Sequence, residues 1–159
     1  MKRISKICLD PQSLAPYLEE QRQRGLTVVF ANGCFELVHV GHVRYLTSAK
    51  ALGDILIVAV NTDDSMRQIK PDRKPVNPDH ERMEILAAFE AVDHVVPLRE
   101  RTPHSLIELF RPQIHTKGTD YTLDRIPERT LVESYGGRVE IVGDPKDHST
   151  TDMLRALKN

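Results

Sequence analysis

The run Ile55-Leu56-Ile57-Val58-Ala59-Val60 constrains this chain more than any other feature. A strand with one wet face alternates apolar and polar residues, whereas an uninterrupted apolar run is buried on both faces, as in a parallel sheet. It is far shorter than the roughly 20 residues of a membrane span. Thr27-Val28-Val29-Phe30-Ala31 is a second, β-branched run and reads as the first strand.

Punctuation residues place helices between such runs. Asp10-Pro11 reads as an N-cap with proline in the first turn, and the helix carries Leu14 and Leu18 until Gly25 stops it. A helix is predicted from about Gly41 to Leu52 with Gly53 after its end, and a short one from Asn61 to Ile69. Lys70-Pro71-Asp72-Arg73-Lys74-Pro75 is a polar loop, and Asp79 is expected to cap a helix carrying Met83, Leu86, Ala87 and Phe89. His94 to Pro97, Gln113 to Lys117 and Arg138 to Val142 read as strands. Thr102-Pro103 opens a helix through Phe110, Glu128 to Tyr135 is another, and Ser149 caps the last. The order β-α-β-α-α-β-α-β-α-β-α predicts a Rossmann-like open parallel sheet with helices on both faces. With no internal repeat, 159 residues suit a single domain over 1–159, with residues 1–26 as a helical lead-in.

Composition excludes several functions. Lys and Arg number 22 against 23 Asp and Glu, and there is no basic run interleaved with aromatics, so a nucleic-acid partner is not expected. Two cysteines are too few for a disulfide framework, and Met1-Lys2-Arg3-Ile4-Ser5-Lys6 leads into no apolar segment. A soluble cytoplasmic protein without membrane contact is the expectation.

Ligands of such sheets sit beyond the carboxyl ends of the strands, which directs attention to the loop after the first strand. Asn32-Gly33-Cys34-Phe35-Glu36-Leu37-Val38-His39-Val40-Gly41-His42 contains neither G-x-G-x-x-G nor a P-loop signature. Its two histidines flank Gly41 at a helix start, where unpaired N–H groups attract phosphate and the glycine lets backbone approach a ligand. His39 and His42 are candidate donors to phosphate oxygens that gain charge in a transition state. A zinc pair is the competing reading, but neither cysteine has convincing ligand spacing. Ser149-Thr150-Thr151 at a helix start is a second candidate anion site or a simple N-cap. Lys117-Gly118-Thr119-Asp120-Tyr121 at a strand end is a third, or an ordinary turn. Arg73 and Lys74 are candidates to close over phosphates, or are merely solvated.

In this order, these elements resemble the cytidylyltransferase-like nucleotidyltransferases with their H-x-G-H motif, from Val28 onward. The chain looks most like the bacterial D-glycero-β-D-manno-heptose 1-phosphate adenylyltransferases, found alone or as the second domain of a bifunctional heptose kinase. That likeness rests on Phe30-Ala31-Asn32-Gly33-Cys34-Phe35, Ala49-Lys50-Ala51-Leu52-Gly53-Asp54, Arg73-Lys74-Pro75-Val76-Asn77, Glu90-Ala91-Val92-Asp93, Lys117 to Tyr121 and Ser149 to Thr151. Glycerol-3-phosphate cytidylyltransferases are similar in the first and last motifs, but tend to carry an arginine where this chain reads Gly143-Asp144-Pro145-Lys146-Asp147-His148. Two departures stand out: Glu36 and Thr119 occupy positions where the family usually has Asp and Gly.

The resemblance implies transfer of AMP from ATP to a sugar 1-phosphate, giving ADP-heptose for lipopolysaccharide precursor synthesis, plus pyrophosphate. Mg2+ would be held mainly by the ATP phosphates. His39, His42, Lys50 and Arg82 are the implied catalytic residues, with solvated charge or a helix-surface ion pair the competing roles of the last two. Asn32, Gly33, Cys34, Phe35, Gly41, Lys117, Gly118, Asp120, Tyr121, Ser149, Thr150 and Thr151 would join the histidines around the nucleotide. Cys34, lacking a paired base, would serve as packing. Related enzymes are often homodimers. The alternatives are a cytidylyltransferase acting on an alcohol phosphate, a flavin- or pantetheine-type adenylyltransferase, and a nucleotide-binding module without turnover.

Overall fold

The computed structural model describes residues 5–145 and 149–158. The expectations placed on Met1 to Ile4 and on Lys146, Asp147 and His148 lie outside the described residues. The strands are β1 (Val28–Gly33), β2 (Ile55–Asn61), β3 (His94–Leu98), β4 (Ile114–Lys117) and β5 (Arg138–Ile141). The helices are α1 (Pro11–Gln23), α2 (Val40–Lys50), α3 (Asp63–Ile69), α4 (Asp79–Ala87), α5 (His104–Phe110), α6 (Arg129–Ser134) and α7 (Thr150–Ala156). A 3₁₀ turn at Leu123–Arg125 was not expected from the sequence.

All strand pairs are parallel, in the order β3-β2-β1-β4-β5. Every residue of β2 is buried, as its continuous apolar run requires. Alternation along β1 feeds two cores. Val28 and Phe30 join Leu14 and Leu18 of α1, Phe110 of α5 and Val132 of α6 on one face. Val29 and Ala31 join Leu46 of α2 and Met83 and Leu86 of α4 on the other. Helices therefore cover both faces, and each fully buried leucine or phenylalanine contributes about 1.5–3 kcal/mol.

Local chemistry explains the element ends. The Asp10 side chain accepts from Gln12 N with Pro11 in the first turn, as expected. Asn61 ends β2 instead of opening a helix, because Thr62 is the N-cap of α3 and accepts from Ser65 N. Asp79 is not a cap of α4, whose N-cap is Pro78. Its carboxylate instead accepts from Asp63 N, so it satisfies an orphan donor at the start of α3. Pro97 is tolerated because β3 is an edge strand. The outer side of that edge is partly paired, by Cys8 N to Val95 O at 2.9 Å and Val95 N to Lys6 O at 2.8 Å.

The chain leaves β1 toward β2 and β3, then crosses back to β4 on the other side of β1. That reversal opens a crevice at the carboxyl ends of the central strands.

Candidate active site

A cavity of about 770 Å³ occupies this crevice. The end of β1 and the loop after it supply Asn32, Gly33, Cys34, Phe35, Glu36 and His39, and the first turns of α2 supply Gly41, His42, Arg44 and Tyr45. Lys117 ends β4 and Gly118 to Tyr121 follow it, Gly143 to Pro145 follow β5, and Ser149 to Thr151 complete this side. On the β2 and β3 side the wall is built from Asn61, Ile69, Lys70, Arg73 and the segment Arg101-Thr102-Pro103.

His39 is the N-cap of α2, and its Nδ1 accepts from Gly41 N at 3.1 Å. His42 Nδ1 accepts from His39 N at 3.3 Å, closing a capping box made of two imidazoles. An imidazole whose Nδ1 accepts has Nε2 as its donor nitrogen. The rings lie 4.0 Å apart between centroids, and Phe35 supports His42 at 5.3 Å. Phe35 is buried and holds φ at +48°, a left-handed conformation costly for a side chain of its size. Gly33 accommodates its ring: a Cβ there would stand 3.1 Å from Phe35 Cε2.

Across β1, Lys117 points between two partners. Its ammonium is 3.6 Å from Glu128 Oε1 and 5.1 Å from the centroid of the Tyr121 ring. Glu128 is buried, and its Oε2 lies 3.8 Å from Nε2 of the fully buried His115. Burial pushes His115 below the ordinary imidazole range, so it is neutral. Burial also opposes ionisation of Glu128, but the His115 interaction and the Lys117 charge outweigh it and bring the carboxyl down to about 2.

Groups whose folded-state pKa is depressed contribute stability fully above the unfolded pKa and lose it as pH falls toward the folded value. For His115 the loss begins as pH drops through about 6.5, and for Glu128 below about 4.3. Urea unfolding of the native chain is therefore expected to need less denaturant at about pH 5.5 than at about pH 7.5, with a smaller difference in His115→Gln. Equal differences in the two chains would remove His115 as the source.

The structure redistributes other expected residues. Arg73 lines the cavity and its Nε stands 3.2 Å from the buried carboxylate of Glu36, whereas Lys74 is not part of the lining. Lys50 does not reach the site. It closes the far end of α2, pairing with Asp93 at 2.6 Å and donating to the Asp54 carbonyl. A helix rising 1.5 Å per residue carries it roughly 15 Å from the histidines. Arg82 is fully buried and does not line the cavity. It donates to the carbonyls of Cys34, Asn61 (2.8 Å) and Asn77 (3.0 Å) and pairs with Asp63 at 2.7 Å. These bonds tie together the ends of β1 and β2, the start of α3 and the loop before α4. Arg82 thus supports the site from behind and has no side-chain surface for a phosphate. Cys34 is half-buried, and burial, the largest influence on it, raises its thiol pKa, as suits a residue used for packing.

Arg44, Tyr45, Lys70, Arg101, Glu128 and Asp144 line the cavity without having been singled out from the sequence. Glu128 directly after Pro127 before a helix was the one local signal available; the others are charges on helix or loop surfaces with no distinguishing spacing.

The reversal at β1 and the histidine-capped helix opening onto it make this a Rossmann-like α/β fold of the H-x-G-H nucleotidyltransferase type. The chain belongs to the cytidylyltransferase-like family, whose model matches residues 30–155. It is 47% identical over 146 residues to the bifunctional protein HldE of Syntrophotalea carbinolica, covering 92% of this chain and 30% of that protein. With HldE of Yersinia enterocolitica serotype O:8 it shares 44% over 151 residues, covering 95% of this chain and 32% of that protein. The chain thus spans about 30% of the length of these curated relatives. Among solved structures, the lipopolysaccharide core biosynthesis protein of Thermoplasma volcanium is similar, with a TM-score of 0.64 at 29% identity over 74% of this chain and 95% of that one. Pantoate-β-alanine ligase of Francisella tularensis shares the fold, with a TM-score of 0.61 at 14% identity over 96% of this chain and 76% of that one.

Proposed function

We propose that this chain transfers AMP from ATP to D-glycero-β-D-manno-heptose 1-phosphate, giving ADP-heptose and pyrophosphate for lipopolysaccharide precursor synthesis in the cytoplasm. The observation that carries the reading is the imidazole capping box, which sets two histidines that line the crevice at a helix N-terminus. In the reaction, an oxygen of the acceptor phosphate attacks the α-phosphorus, and the bond to the bridging oxygen of pyrophosphate breaks in line. No protein nucleophile is needed. The work of the protein is positioning and stabilisation of charge on the leaving oxygens, for which preoriented donors are suited.

Mg2+ bound with the nucleotide would neutralise phosphate charge. Among the described residues no group of three or more His, Cys, Asp and Glu side chains converges as a metal cage. The lining carboxylates are Glu36, Asp120, Glu128 and Asp144, and three of them, Glu36, Glu128 and Asp144, face a cation. The donor set therefore fits an ion already coordinated by phosphates and water. No helix among the described residues is long and apolar enough to cross a membrane.

The two ends of the cavity differ in chemistry. Lys117, Asp120, Tyr121 and Ser149 to Thr151 surround the end assigned to the nucleotide. Lys70, Arg73 and Arg101, against the single carboxylate Glu36, give the opposite end a positive excess suited to a dianionic sugar phosphate. Arg101→Ala is expected to raise KM for the sugar phosphate roughly tenfold, the worth of a charge-assisted hydrogen bond, with KM for ATP unchanged.

The deciding assay follows pyrophosphate release with ATP or CTP against a panel of sugar 1-phosphates and polyol phosphates, with magnesium. Release with ATP and the heptose phosphate supports the reading. Release confined to CTP and glycerol 3-phosphate overturns the substrate, and nucleotide binding with no release from any pair overturns the enzyme.

A further inference from the structure

Past Gly143 several of the described residues wall the cavity without being held by the core. None of the described residues from 143 to 158 is buried, yet Gly143 to Pro145 and Ser149 to Thr151 all line the cavity. Where apolar burial does not fix a segment, its polar ties decide its position. Among the described residues three such ties are present. Thr119 Oγ1 donates to the Asp144 carbonyl at 2.6 Å, linking the loop after β4 to the loop after β5. The Asp144 carboxylate takes Arg44 of α2 at 2.7 Å. Thr150 Oγ1 donates to the Leu37 carbonyl at 3.2 Å, beyond the Gly143–Pro145 turn.

These ties are unequal. The Arg44–Asp144 pair joins half-exposed side chains, and such pairs contribute little. The Thr119 bond ends on backbone and therefore acts directly on the path of the turn. Gly143 adopts φ +99° there, and a Cβ on it would stand 3.4 Å from Tyr45 Cα; the Tyr45 hydroxyl donates to the Thr116 carbonyl at 2.9 Å. Tyr45, tied to β4, stands close behind the turn, and the Thr119 bond joins the turn to the Lys117–Tyr121 loop.

We propose that Thr119 is a positioning residue for the nucleotide: its hydroxyl holds the Gly143–Pro145 turn at the separation from the β4 loop that the nucleotide end of the cavity needs. This rests on the nucleotidyltransferase reading above. With the bond made, the turn is ordered before the ligand arrives; without it, binding bears the cost of ordering. A net hydrogen bond corresponds to roughly a threefold to tenfold change in affinity. The histidines sit on a different loop, after β1, so the loss falls on nucleotide binding and leaves kcat in place.

Thr119 is exposed, so substitutions there leave the core intact. Thr119→Val keeps the branched shape and deletes the donor, and Thr119→Ser keeps the donor. Titration calorimetry of ATP with magnesium into the whole chain should show Val weakening Kd roughly fivefold and Ser staying within about twofold of native. In turnover, KM for ATP should follow Kd while kcat stays level. Equal Kd for Val and native, a Val effect confined to kcat, or a Ser variant as weak as Val would each overturn the assignment. A native chain that binds no ATP at all would instead remove the nucleotidyltransferase reading on which it rests.

Discussion

Exchanging His42 for alanine is expected to lower kcat by roughly 100- to 1000-fold, the range seen when one preoriented donor to a developing oxyanion is removed. His42 Nδ1 is engaged by the His39 N–H, which orients the ring before any ligand arrives. The variant also loses half of the capping box, a loss of about 1 kcal/mol that leaves the chain folded. Single-turnover measurement at saturating ATP separates the two effects, because the cap acts on stability and the donor on the chemical step. A kcat within about fivefold of native would show that the imidazole serves only the helix end. His39→Ala is the less informative variant, since His39 is the N-cap itself and its loss strikes α2 and the site together.

The second large effect is on stability. Arg82→Ala is expected to cost about 3–5 kcal/mol, because it leaves a carboxylate and several carbonyls without the buried guanidinium that satisfied them. Those acceptors are Asp63 and the carbonyls of Cys34, Asn61 and Asn77, which bind three different nitrogens of one planar group. A lysine presents a point charge and cannot match that fork, so Arg82→Lys should recover only part of the loss. Urea unfolding of the two variants reads this directly. If Arg82 instead gripped a phosphate of the substrate, Arg82→Ala would unfold near the native urea concentration and show its defect only in substrate KM. Stability and KM therefore discriminate between a strut and a ligand contact.

Much of the architecture can be read locally. The apolar run at Ile55–Val60, the Asp10-Pro11 cap and the Ser149 cap each identify an element from residues next to one another, and each is present in the fold. The two histidines are readable for the same reason. Their capping box is made with each other and the backbone between them, so the spacing H-x-G-H contains that part of the geometry. Lys50 shows where this kind of reading stops. Its place in a familiar motif says nothing of distance from the ligand, and α2 carries it to the opposite end, against Asp93. Asp79 is a milder case: as an acidic residue before an apolar stripe it suits a cap, but its carboxylate finds the first turn of a different helix.

The order of strands and helices and the chemistry of the loop after β1 were set by the sequence alone, because apolar periodicity, caps and a capping box are interactions between neighbours. The assignment of each charge was decided only by the tertiary structure. Arg44 meets Asp144, Arg82 threads behind Cys34 and Asn61, and Lys117 is held by Glu128 and Tyr121. A charged side chain on a helix or loop satisfies its local rules equally well in water. Whether it becomes a strut, a clasp or a wall of the cavity depends on which distant carbonyl or carboxylate the parallel crossovers bring beside it.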